Sequence, residues 1–342
     1  IIKKNNSVYK ISKSRNKTNI IKEYRLLKKL HRDSRYKNIL PKIYELAKIK
    51  TGLLKGNYYY RQSLLSGNTF SNEIKKLNYY NSIELYTKVS KKLISICKNS
   101  NSSVVSNKND FIKKIFKDEL KNFKNYNDLS NISSSKIINI NNKKYNNLIF
   151  YLDKIFSSEI FKKSIKNFRI VRNEHWNFHG DNLIINKKNF KIIDPDTSII
   201  HNDMYFSYSR FLYSFLHDTC FYKKYFIKTN DLIFKSDIPK FHLFTTFFKN
   251  AKKNYSLLFT FINSKTLSKN NFFKKFQLDT HDIFRIKIMY LYCLLRGINR
   301  NYQKIYKYVD SDNSKVQIDH LYLYLQSVIF AKDLMDIIND RK

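Results

Sequence analysis

Glycine and proline are scarce in this chain, at five and three residues in 342. Lys, Asn and Ile are abundant throughout. An AT-rich coding sequence produces that pattern when it pushes tolerant surface positions toward Lys and Asn. Cysteine is equally rare. Cys97, Cys220 and Cys293 lie far apart within apolar segments, which leaves no basis for a disulfide framework or a zinc site and fits a reducing cytoplasm. No apolar run reaches the roughly 18 residues a membrane-spanning helix needs, and Ile1 to Lys10 lacks the pattern of a signal peptide. A soluble chain is expected, and a start at Ile1 instead of Met reads as a truncation. No repeat of fixed period occurs. Acidic residues are few, 27 against 65 Lys and Arg, for a formal charge of +38. Such a charge brings nucleic acid or an anionic membrane surface into consideration. It is spread along the whole chain, however, and neither a paired-His finger nor an aromatic RNP strand accompanies it, so a compositional origin is preferred to a nucleic-acid partner.

What is present is 42% hydrophobic content, enough for one large core or two smaller ones packed across a cleft. Ser7 to Ile11 alternates as a strand does. Ile20, Ile21, Leu26, Leu27 and Leu30 then recur at helical spacing across Asn19 to Leu30, with Thr18 or Asn19 as cap. Pro41 and Lys42-Ile43-Tyr44 begin another strand, and Gly52 and Gly56 bracket a turn before the aromatic strand Tyr58-Tyr59-Tyr60. Leu64 to Thr69, with Gly67, reads as a hinge. Helical spacing is predicted for Ile74 to Cys97, Phe111 to Phe123 and Leu148 to Ile170. Asn125 to Asn147 reads as loop or short strands, and Tyr205 to Ile338 as mostly aromatic-rich helix. Leu183-Ile184-Ile185 and Phe190 to Ile193 form a hairpin around Asn186 to Asn189. The fold class is therefore α+β, with a small mixed N-terminal lobe over residues 1–65 and a larger, mainly helical C-terminal lobe over 66–342.

The hairpin carries the chemistry. Residues 179–186 read HGDNLIIN and residues 190–196 read FKIIDPD. A phosphoryl-transfer site needs a carboxylate beside the acceptor hydroxyl and oxygen ligands that hold Mg2+ against nucleotide phosphates. A hairpin that brought Asp181, Asn186 and Asp194 to one end would supply both. Gly180 suits the tight turn before Asp181. His179 reads as a brace for that loop, and His175, Trp176 and His201 are given no ligand role.

The HGDxxxxN motif followed by a strand ending in Asp resembles that of aminoglycoside phosphotransferases and their choline-kinase-like relatives, which share the bilobal protein-kinase-like fold. The phrase IIDPDTSIIHNDMYFSYSRFLYSF is similar to the capsule-biosynthesis branch, although Ser207 stands near where that branch usually places an Asp. The resemblance implies that Asp181 serves the acceptor hydroxyl and that Asn186 and Asp194 bind Mg2+. Val8-Tyr9-Lys10 matches the strand whose Lys touches the α- and β-phosphates, with Glu23 on the following helix to orient it and Lys13 as the competitor to Lys10. Tyr58 to Gln62 and Ser63-Leu64-Leu65 resemble the hinge whose backbone meets the purine, which makes Leu64 a nucleotide contact, while Tyr58 to Tyr60 serve equally well as core aromatics. No glycine precedes Gly52, so a Gly-rich loop over the phosphates is either absent or lies upstream of Ile1.

The expected activity is transfer of the γ-phosphoryl group of ATP or GTP to a hydroxyl of a small molecule, with Mg2+. A +38 protein repels a polycationic acceptor, so a neutral or anionic sugar-type acceptor is preferred. Protein phosphorylation is disfavoured because no APE-type motif follows Asp194. The alternative is a catalytically silent protein on the same scaffold that binds a polyanion through its basic surface.

Overall fold

The computed structural model of the chain describes residues 1–4, 6–12, 17–100, 108–166, 168–172, 174–186, 189–199, 201–214, 222–229, 240–247, 276–302, 308–309, 316–317 and 319–339. The structure is mixed α+β and divides into two compact units, Ile1–Val104 with Arg169–Phe211, and Val105–Phe168 with Leu212–Lys342.

In the first unit, β1 (Ile2–Lys4) and β2 (Ser7–Ile11) form an antiparallel pair. Helix α1 (Lys17–His31) follows, then β3 (Ile43–Lys48) and β4 (Tyr58–Ser63). The four strands make one antiparallel sheet in the order β1-β2-β4-β3. Ile20, Glu23, Tyr24, Leu27 and Leu30 make up the buried stripe of α1, the spacing that a one-sided helix requires. The helix begins at Lys17, which places Thr18 and Asn19 inside its first turn and not at the cap. β5 (Asn68–Thr69), α2 (Phe70–Ile74) and α3 (Tyr79–Lys98) complete this stretch. The helical run from Ile74 is thus broken at 75–78, where the Asn78 side chain accepts from the Asn81 N–H and caps α3.

The intervening chain belongs to the second unit. α4 (Lys108–Lys121) leads to α5 (Asn127–Ser134), a helix in a stretch whose polarity predicts loop or short strands. Leu129 and Ile132 are fully buried, so packing of one apolar edge overrides the polar composition. The hairpin β6 (Ile137–Ile140) and β7 (Lys143–Asn146) precedes α6 (Leu148–Ser157) and α7 (Glu159–Lys166).

The chain then returns to the first unit with β8 (Ile170–Arg172), the hairpin β9 (Leu183–Asn186) and β10 (Asn189–Ile192), β11 (His201–Asp203), and α8 (Phe206–Tyr213), which ends in the second unit. β5 pairs with β9. Gly67, at φ +128, makes this possible, since a Cβ there would lie 2.1 Å from the Ile185 carbonyl oxygen.

The expectation of mostly helix from Tyr205 to Ile338 is corrected by β12 (Tyr222–Thr229) and β13 (Lys240–Phe247), which pair antiparallel. Aromatic and apolar residues are dense enough here to satisfy a period of 2 as well as 3.6. β13 also pairs in parallel with β6. Helix α9 (Thr280–Tyr302), the short strands β14 (Tyr308–Val309) and β15 (Val316–Gln317), and helix α10 (Asp319–Asn339) finish the unit. α9 is buried on nearly every side from Ile283 to Leu295, including Arg285 and Lys287. No helix among the described residues is long and apolar enough to cross a membrane.

Candidate functional site

β2 is an interior strand, with β1 on one side and β4 on the other, and Lys10 stands opposite Tyr60 of β4. The period of α1 turns Glu23 inward with Ile20 and Leu27. The Lys10 ammonium donates to Glu23 Oε1 at 2.5 Å and to Asp194 Oδ1 at 2.8 Å. Tyr60 Oη donates to the same Glu23 oxygen at 2.6 Å. Burial alone would lower the Lys10 pKa, but the charges of Glu23 and Asp194 carry it above its ordinary value. The ammonium is thus held charged between two carboxylates. Burial raises Glu23 despite Lys10 and Tyr60.

Asp194 reaches Lys10 from 184 residues away because of the β9–β10 hairpin. Leu183 pairs with Ile192 at its open end, and the Ile193 N–H donates to the Asn182 carbonyl at 2.9 Å. Asp194 then turns into the left-handed region at φ +55, a conformation that Asp tolerates better than most residues. The Asn177 amide holds it there by donating to the Asp194 carbonyl at 2.8 Å, and the Asn182 amide donates to the Asn177 carbonyl at 3.4 Å. The Asp194 side chain is 39% exposed. Two residues on, Asp196 accepts from the Ser198 hydroxyl and from Arg210 Nη1 at 2.9 Å. Burial would raise its carboxyl, but Ser198 and Arg210 hold it below the usual carboxylate range.

His179 caps a single 3-10 turn, Gly180–Asn182, which has Asp181 at its centre. The His179 Nδ1 accepts the Asp181 N–H at 3.3 Å, so His179 braces the turn, while the Asp181 carboxylate is exposed. Before this turn in sequence, His175 is fully buried, and burial pushes its imidazole down to about 3.

The register separates one expected ligand from the rest. Asn186 pairs with Asn189 at the turn end of the hairpin, three residues from Leu183 and hence about 10 Å from the open end. Its amide donates to Ser66 Oγ at 2.7 Å. The hairpin brings Asp181 and Asp194 to one end and carries Asn186 to the other. Asn177, bonded to the Asp194 carbonyl, and Asn182, bonded to Asn177 and beside Asp181 in sequence, are the amide residues at the Asp194 end. The Leu64 N–H, expected to meet a purine, donates instead to the Asn6 carbonyl at 2.9 Å. Lys13 lies outside the described residues.

Sequence reasoning missed Asn177, Asn182, Tyr60 and the Asp196–Arg210 pair. The Asp-x-Ser spacing of Asp196 and Ser198 is a recognisable Asx-turn signal; nothing local marks the other three.

Among the described residues, no cluster of three His, Cys, Asp or Glu is placed to cage a metal ion. Mg2+ does not require one, since it commonly takes one or two carboxylates together with substrate phosphates and water. The hard oxygen of the half-exposed Asp194, with the Asn182 amide and Asp181 nearby in the turn, fits that mode. No protein-family model matches the chain, and no curated protein does.

Proposed function

We propose that this chain is a phosphotransferase of protein-kinase-like, bilobal fold that moves the γ-phosphoryl group of ATP or GTP to a hydroxyl of a small molecule in the cytoplasm. The observation that carries the reading is the Lys10 ammonium bridging Glu23 and Asp194. A strand lysine paired with a helix glutamate, facing an aspartate that follows a hairpin, is the arrangement that phosphoryl transfer in kinases requires. The antiparallel sheet with one helix between its second and third strands supports the same fold.

Each residue then has a role. Lys10 meets the α- and β-phosphates, and Glu23 keeps its ammonium aimed at them. Asp194 and Asn182 hold Mg2+, which when bound neutralises charge on the β- and γ-phosphate oxygens. Asp181 orients the acceptor hydroxyl and takes its proton. The charge of +38 favours a neutral or anionic sugar-type acceptor.

The silent-scaffold reading draws on the Leu64 N–H, which is already bonded, and on the lack of glycine before Gly52. Thermal unfolding with Mg2+-ATP and Mg2+-GTP separates the two readings. A nucleotide at about 100 times its Kd stabilises the native state by ~2.7 kcal/mol, and Lys10→Met is expected to lose that gain. No gain in the parent protein overturns the proposal. A screen of sugar and sugar-phosphate acceptors with labelled nucleotide then identifies the substrate.

A further inference from the structure

The turn between β3 and β4 is closed by its own backbone. The Ile49 N–H donates to the Asn57 carbonyl at 2.8 Å and the Gly56 N–H to the Ile49 carbonyl at 2.9 Å. Inside that ring, Lys55 N–H bonds to the Gly52 carbonyl and Asn57 N–H to that of Leu54. Gly52 and Gly56 supply the left-handed residues, at φ +75 and +86. None of these bonds uses the side chains at the apex, where Leu53 is 106% and Leu54 43% exposed. Leu53 is the most exposed large apolar residue among those described. Lys48, Lys50 and Lys55 surround the pair, all exposed. Between Glu45 and Glu73 the sequence holds no acidic residue, and Glu45 is engaged by Arg61 at 3.2 Å.

We infer that this hairpin tip docks on an anionic lipid surface, the two leucines entering the apolar layer and the three lysines meeting headgroup phosphates. Two adjacent leucines on a convex apex are too small for a stable protein interface, which buries about 800 Å² per partner. A bilayer makes no such demand. It accepts a small apolar wedge, and juxtamembrane lysines gain from its negative surface potential. This inference stands independently of the phosphotransfer reading.

The test is co-sedimentation of the full chain with vesicles of phosphatidylcholine, alone or mixed in equal parts with phosphatidylserine. The parent is expected to prefer the mixed vesicles. Leu53→Ser with Leu54→Ser should weaken partitioning at least ~10-fold, and Lys48→Gln, Lys50→Gln and Lys55→Gln together on the order of 100-fold. A charge-matched control, Lys22→Gln, Arg25→Gln and Lys29→Gln on the exposed face of α1, should lose far less. Leu53→Trp should give emission that shifts to the blue on the mixed vesicles, against a background from Trp176 that is already buried. All the altered side chains are exposed, so thermal unfolding without lipid should be unchanged. Partitioning of the leucine variant equal to the parent overturns the inference. So does an equal loss in the control, or an indole at position 53 that stays in water.

Discussion

Two charged clusters in the first unit differ in one respect that bears on function. Arg35 donates from Nε to both Asp33 oxygens, from Nη1 to the Ile96 carbonyl, and from Nη2 to Asp33 and Glu174. Tyr36 closes the other Glu174 oxygen at 2.7 Å. Each guanidinium nitrogen is used, and Arg35 and Glu174 are 11% and 8% exposed. The Lys10 cluster is open by contrast, with Asp194 at 39% and its backbone in the left-handed region. A closed network of ions braces the fold. One with an exposed, conformationally constrained carboxylate leaves room for a ligand, which is where strained backbone tends to be found.

Variants can break or sharpen that contrast. The largest effect is expected at Asp194. Asp194→Ala should lower phosphoryl transfer at least ~10³-fold, since metal-borne charge stabilisation is worth several kcal/mol, while unfolding without nucleotide loses only about 1–2 kcal/mol for an Ala in the left-handed region. If Asp194→Ala loses stability as Arg35→Ala does, the two clusters are both braces. Asp181→Asn should cost turnover about 10²- to 10⁴-fold, read in single-turnover transfer beside an unaltered Mg2+-nucleotide affinity. Full transfer by this variant removes the carboxylate from the chemistry.

Arg35→Ala should destabilise the protein by about 3–5 kcal/mol in denaturant unfolding, because Glu174 and Asp33 are left without their cation. Next in size is a pH effect from His175. Its folded pKa is depressed to about 3 from 6.5, so its contribution is complete above 6.5 and is lost as pH falls from there toward 3. Between pH 7 and pH 5 the loss is about 2 kcal/mol. Urea midpoints should follow that slope, and His175→Gln should flatten it. The smallest effect is reserved for Asn186→Ala, expected within ~0.5 kcal/mol of the parent because the residue is exposed. Asn182→Ala should instead weaken Mg2+ dependence by ~10-fold or more. The reverse ranking would return the metal role to Asn186.

Much of the first unit was legible. Ser7 to Ile11 is a strand, the following helix buries Glu23, and the expected pairing of Lys10 with Glu23 occurs at 2.5 Å. Both strands of the β9–β10 hairpin were visible as short apolar runs between polar residues. Legibility failed where composition satisfied two periods at once. Tyr222–Thr229 and Lys240–Phe247 read as helix, yet they pair with each other and, through β13, with β6 about a hundred residues earlier. Long-range pairing of that kind leaves no local mark.

From its own periodicity and spacing, the sequence determined that a lysine on a strand, a glutamate on a helix and a pair of aspartates around a hairpin exist, because such patterns are set within a few residues. Tertiary structure alone decided which of them meet. Lys10 and Asp194 are 184 positions apart and touch, whereas Asn186, five residues from Asp181, is carried away by a register that only the paired strands fix. The reason is geometric: each residue along a strand advances the chain by about 3.3 Å, so counting positions finds the hairpin, and only its register and packing tell which end a side chain occupies.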